Sequence, residues 1–99
     1  MDEEIKSLAM MKMEKNFIAY NEKKYSRQPY RVFSLPDCFS FVEREMKELE
    51  ESVRNYQRYL GVLPESDGYR LMEIQHEIAD VSNCLDYLFE KTLIVYPKQ

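Results

Sequence analysis

A chain of 99 residues, 44% hydrophobic and 32% charged, holds one small helix-rich domain and too little apolar material for a large core. Two glycines and four prolines leave few places to turn, which favours a few long helices and speaks against sheet architectures. The net charge of -4 disfavours nucleic-acid polymers and acidic membrane surfaces. No stretch approaches membrane-spanning length, and the start Met1-Asp2-Glu3-Glu4 carries no signal peptide, so the chain reads as cytoplasmic. Cys38 and Cys84 lack any CxxC spacing, and one histidine makes no zinc motif, so the cysteines read as reduced thiols.

In chain order, residues 2 to about 24 lack Gly and Pro and carry Ile5, Leu8, Met10, Met13, Phe17 and Tyr20 at three- and four-residue spacings, a first helix. Tyr25 to Phe33 has a proline and no period, and reads as a basic, aromatic loop with Arg27 and Arg31. Ser34, with Asp37 three residues on and Pro36 between, resembles a capping box that opens a second helix over about 35–60. Its apolar positions Phe39, Val42, Met46, Leu49, Val53, Tyr56 and Leu60 alternate by three and four, and Gly61 caps its end. Pro64 is expected to keep the helix from resuming, with Ser66 or Asp67 capping a third helix over about 68–92. That helix repeats the stripe as Leu71, Ile74, Ile78, Val81, Leu85, Leu88 and Thr92. The expected fold is therefore all-α: residues 1–99 form one domain of three helices, the second and third making a long antiparallel hairpin with its seam along these stripes. Three helices alone leave apolar surface wet, so a homo-oligomer of four-helix-bundle type, dimer or tetramer, is expected.

The acids share the register of the stripes. At about 100° per residue, Glu45 lies roughly 65° and Glu48 roughly 125° from the centre of the apolar stripe, on one side. Glu77 and Asp80 occupy the equivalent places on the third helix, 32 residues further along. Closing the hairpin brings four carboxylates toward one cleft, where they raise one another's pKa, and a hard divalent cation is the natural remedy. The plainer alternative is a solvated face held by same-helix pairs such as Arg44 with Glu48 or Glu43 with Lys47.

The pattern Glu45-Met46-Lys47-Glu48, a spacer, then Glu77-Ile78-Ala79-Asp80 resembles the ExxE, spacer, ExxD signature of the MazG-like all-α nucleoside triphosphate pyrophosphohydrolases. The resemblance implies that Glu45, Glu48, Glu77 and Asp80 bind Mg²⁺, with Mn²⁺ as its substitute. It also implies that water attacks the α-phosphorus of a nucleoside triphosphate, giving the monophosphate and pyrophosphate, with a spare carboxylate accepting the proton. Glu73 or Glu51 would assist. Where many relatives carry an aromatic four residues beyond the aspartate, this chain has Cys84, preceded by Asn83, so the base-recognising pocket is expected to differ. Longer relatives continue with basic residues that hold phosphates; here Lys91, on the acidic face of the third helix, and the loop residues Arg27 and Arg31 are the candidates.

Phe41, one turn before Glu45, is placed to stack on a nucleobase or to fill an interface. Met10, Met11 and Met13 read as adaptable packing, and Tyr20, Tyr25 and Tyr30 as pocket walls or packing. Glu73-Ile74-Gln75-His76 is an ExxH that would suit a di-iron carboxylate bundle, but His76 lies about 160° around from Ile78, away from the seam. A third reading is a non-enzymatic helical interaction module whose acids only solubilise it.

Overall fold

The computed structural model describes residues 5–22, 33–62 and 64–97, and for 16–22 the backbone alone. The loop with Tyr25, Arg27, Tyr30 and Arg31 lies outside the described residues, as do the side chains of Phe17 and Tyr20. The chain is all-α: α1 spans Leu8–Glu22, α2 Leu35–Tyr59 and α3 Pro64–Lys91, with no strand among the described residues. No helix is long and apolar enough to cross a membrane, again among the described residues.

Each helix start is set by how its free backbone N–H groups are satisfied. α1 begins later than periodicity suggests, with residues 5–7 outside it. Ser7 supplies the reason: its Oγ accepts from the Met10 N–H at 3.2 Å and its carbonyl from the Met11 N–H at 3.1 Å. The capping box of α2 is present as read. Ser34 Oγ accepts from the Asp37 N–H, and the Asp37 carboxylate accepts from the Ser34 N–H, both at 3.3 Å, with Pro36 in the first turn. At the far end Leu60 leaves helical geometry and Gly61 takes φ 79°, a left-handed conformation that costs glycine little.

α3 corrects the sequence reading. Pro64 opens the helix and Ser66, Asp67 and Gly68 lie inside it, so the start expected at 68 is four residues late. Proline lacks only an N–H that the first turn leaves unpaired, and Glu65 and Asp67 favour the positive end of the helix dipole. Asp67 pairs with Arg70 at 3.1 Å rather than capping.

α2 packs against α3, and α1 packs against α3 as well. Near one end the Arg70 guanidinium lies over the Tyr59 ring, 5.1 Å from its centroid. Among the described residues the buried ones are Met11 of α1, Cys38 and Val42 of α2, and Ala79, Val81 and Asn83 of α3. The α2–α3 contact is rotated from the seam expected on the apolar stripes. Phe39 is 50% exposed, Met46 47% and Ile78 39%, and Leu60, Leu71 and Leu85 are also exposed. The two helices meet along one edge of those stripes, Val42 and Leu49 with Ile74 and Val81, joined by Cys38 and Glu45 on one side and Glu77 and Cys84 on the other, positions that are buried or half-buried at heptad spacing. Each apolar arc is wider than one helix contact can cover, so part of it stays outside.

Ser34→Ala should lower stability by about 1 kcal/mol, read as a shift in urea midpoint at unchanged m-value. An unchanged midpoint would mean the box contributes nothing to holding α2.

Candidate metal centre

Placing the α2–α3 contact one step around from the apolar stripe puts acids where heptad logic would put leucines. Glu45 keeps only 15% of its side chain exposed, and Glu77 is half-buried across from it. Glu48, one turn on from Glu45, is more exposed and reaches in from the rim. One carboxylate oxygen from each of Glu45, Glu48 and Glu77 lies within 4.8 Å of the other two. Three of the four acids singled out by sequence are thus brought together.

Asp80, the fourth, stands beside this group. Its Oδ2 accepts from the Lys15 ammonium of α1 at 2.9 Å, with both side chains about half-buried. The charge of Asp80 nevertheless reaches Glu45, Glu77 and Cys84.

The electrostatics follow from this crowding. Burial pushes the Glu45 carboxyl up to about 7, reinforced by the neighbouring Glu48 carboxyl and then Asp80, and opposed by Arg44, 3.7 Å away. Burial also raises Glu77, with the charges of Asp80 and Glu48 adding and Lys15 opposing. Glu77 Oε2 is buried and has no hydrogen-bond partner. A buried carboxylate oxygen without a donor costs free energy that a bound cation would recover. An all-oxygen set of three to four carboxylates, one of them orphaned, fits a hard divalent ion such as Mg²⁺ or Mn²⁺.

The remaining candidates are less central. Phe41 packs edge-on against Phe33, ring centroids 4.9 Å apart, and carries the Arg44 guanidinium over its face at 5.5 Å. Arg44 therefore pairs with Glu45 rather than with Glu48 as the solvated-face reading had it. Asn83 is buried, its Nδ2 donating to the Lys12 carbonyl at 3.3 Å, so it joins α3 to α1 as Asp80 does through Lys15. Lys91 ends α3, fourteen residues beyond Glu77 and so about 20 Å further along the helix axis. Glu73 is exposed one turn before Glu77, whereas Glu51 lies with Lys47 and Arg54 on an outer surface of α2. His76 is exposed beside Ile5 and Met11, apart from the three-acid group, which leaves that group without the histidine a di-iron site needs. Of the methionines, Met11 is buried and Met10 and Met13 are exposed.

Sequence reading missed Lys15 and the two cysteines as neighbours of the acids. Cys84 lies in the α2–α3 contact near Glu45 and Asp80, and burial first, then those charges, pushes its thiol up to about 11. The heptad positions of Cys38 and Cys84 could have revealed this; nothing in the spacing of Lys15 could, since it comes from another helix.

Glu45 titrates near 7 in the folded chain against an ordinary 4.5, so between those values the folded chain holds more protons than the unfolded one. Its stabilising contribution is complete below pH 4.5 and is lost as pH rises through 7. In EDTA the thermal midpoint should fall between pH 5.5 and pH 8, and Glu45→Gln should flatten that fall. A midpoint that rises over this range would refute the assignment. The sequence matches no family model, no curated protein and no solved structure.

Proposed function

We propose that the chain is a Mg²⁺-dependent nucleoside triphosphate pyrophosphohydrolase of the MazG-like kind. The observation that carries this reading is the meeting of Glu45, Glu48 and Glu77 around a buried, partnerless carboxylate oxygen, with Asp80 alongside. The ExxE and ExxD spacing adds the family resemblance. Glu45, Glu48, Glu77 and Asp80 would hold the ion, which supplies neutralisation of phosphate charge and a lowered pKa for the attacking water.

The residues themselves account for the rest. Water adds to the α-phosphorus, the bond from that phosphorus to the bridging oxygen breaks, and pyrophosphate leaves with the electron pair. A carboxylate oxygen of the acidic group that the ion leaves free would accept the water's proton and release it afterwards. Phe41, held by Phe33 and Arg44 one turn before Glu45, offers an aromatic face for the base.

In this reading α2 and α3 form a long antiparallel hairpin, since only residues 60–63 link them. A second copy covers the exposed ridge of Phe39, Met46, Leu71, Ile78 and Leu85, making a four-helix bundle. On helical geometry this ridge and the acids occupy opposite sides of the hairpin, so association leaves the site open. The same ridge favours, as a second reading, a non-enzymatic interaction module docked on another protein.

With Mg²⁺, a panel of ribo- and deoxyribonucleoside triphosphates should yield pyrophosphate, and Glu48→Gln should lower the rate at least about a hundredfold. No release from any nucleotide, together with no Mg²⁺-dependent rise in thermal midpoint, would favour the interaction module. Sedimentation should give a dimer or larger, reduced to monomer by Ile78→Glu; a monomeric parent would defeat the bundle.

A further inference from the structure

The site needs cations as well as acids, because a triphosphate brings more negative charge to a place already crowded with carboxylates. Among the described residues, two cations touch the acidic group. Arg44 lies 3.7 Å from Glu45 and is held over the Phe41 ring. Lys15 is closer, 2.9 Å from Asp80 Oδ2, and reaches the site from α1. Lys12, one turn earlier, is spent on Asp86 at 2.6 Å.

Lys15 and Asp80 share a position that is half-buried on both sides, 27% and 30% exposed. Neither partner can lose the other there without another charge taking its place. If Asp80 joins Glu45, Glu48 and Glu77 around a divalent ion, its charge is met by the ion and the Lys15 ammonium is left unpaired at the rim. A lysine is suited to such a change of partner: its ammonium is a point charge with three rotatable donors on a flexible stem, and it needs no fixed fork geometry. Phosphate oxygen is the acceptor that substrate brings to that rim.

We propose that Lys15 is an exchangeable cation of the acidic site, paired with Asp80 before a divalent ion is held and with a phosphate oxygen of the substrate afterwards. This rests on the pyrophosphohydrolase reading and deepens it, because the phosphate-binding charge comes from α1 rather than from the far end of α3. Lys15 thereby competes with the ion for Asp80 and cooperates with it for phosphate. A simple docking role for α1 makes neither claim.

The test uses the full chain and probes that need no turnover. Mn²⁺ is titrated without nucleotide, and inorganic tripolyphosphate is titrated onto the Mn²⁺-loaded protein, for the parent, Lys15→Met, Lys15→Arg and Lys12→Met. Lys15→Met should bind Mn²⁺ roughly twofold to fivefold more tightly, since an internal competitor is gone, and tripolyphosphate about tenfold to a hundredfold more weakly. Lys15→Arg should recover most of the tripolyphosphate affinity. Lys12→Met, which removes the neighbouring α1–α3 pair, should leave both affinities at the parent's values. Equal or weaker Mn²⁺ binding by Lys15→Met, or parallel losses in Lys15→Met and Lys12→Met, would overturn the proposal. A parent that binds Mn²⁺ and tripolyphosphate in this pattern yet hydrolyses no nucleotide would refute the pyrophosphohydrolase reading while upholding the exchange.

Discussion

The structure turns on carboxylates placed in a helix–helix contact. Glu45 and Glu77 occupy heptad positions between α2 and α3 that an ordinary pair of packed helices would fill with leucine or valine. Each loses water on burial, and each faces other acids, so the contact is weakest where it would normally be strongest. An apolar replacement of similar size would stabilise the fold, which makes this contact the candidate site of the chain. The raised carboxyls and the partnerless Glu77 oxygen follow first from burial and then from negative charge gathered without enough positive charge to meet it.

The division of the apolar surface follows from the same constraint. With acids filling part of the α2–α3 contact, the small buried set of Cys38, Val42 and Val81 carries the packing there, and α3 turns another side to α1 through Asn83. What remains of each stripe, from Phe39 to Leu60 and from Leu71 to Leu85, is left outside. A chain this size gives up core at a cost it can hardly bear alone, which is why a second copy over the ridge is part of the functional reading.

Much of the fold was legible in the sequence because its signals are local. The Ser34 box and the Gly61 turn satisfy backbone groups within a few residues of themselves, so they read correctly without tertiary information. Pro64 misled because the same residue that stops one helix also begins the next, and sequence does not say which side the chain resumes on. The stripes identified the helices and, through Val42, Leu49, Ile74 and Val81, one edge of the contact, but not its centre, since an arc wide enough for two partners does not reveal which partner takes which part. Three of the four acids converge, and their spacing sufficed for that. The partner of Asp80 did not follow from spacing, because Lys15 lies 65 residues away on another helix.

The contribution of α1 is the least local of these features and ties the site to the rest of the chain. α1 meets α3 through the burial of Met11, the Lys12–Asp86 pair and the Asn83 bond to the Lys12 carbonyl, in addition to Lys15–Asp80. Three of these four ties are polar, and one of them, Lys12–Asp86, has a mostly exposed carboxylate and contributes little. α2 and α3, by contrast, share the more extensive contact. The charge state at Asp80 therefore bears on the element least firmly held: whatever changes the demand on Asp80 changes one of the few ties that keep α1 in place. Occupancy of the acidic site and the docking of α1 are thermodynamically linked through one carboxylate, and by reciprocity whatever stabilises the docked α1 through Lys15 alters the affinity of the site for a cation.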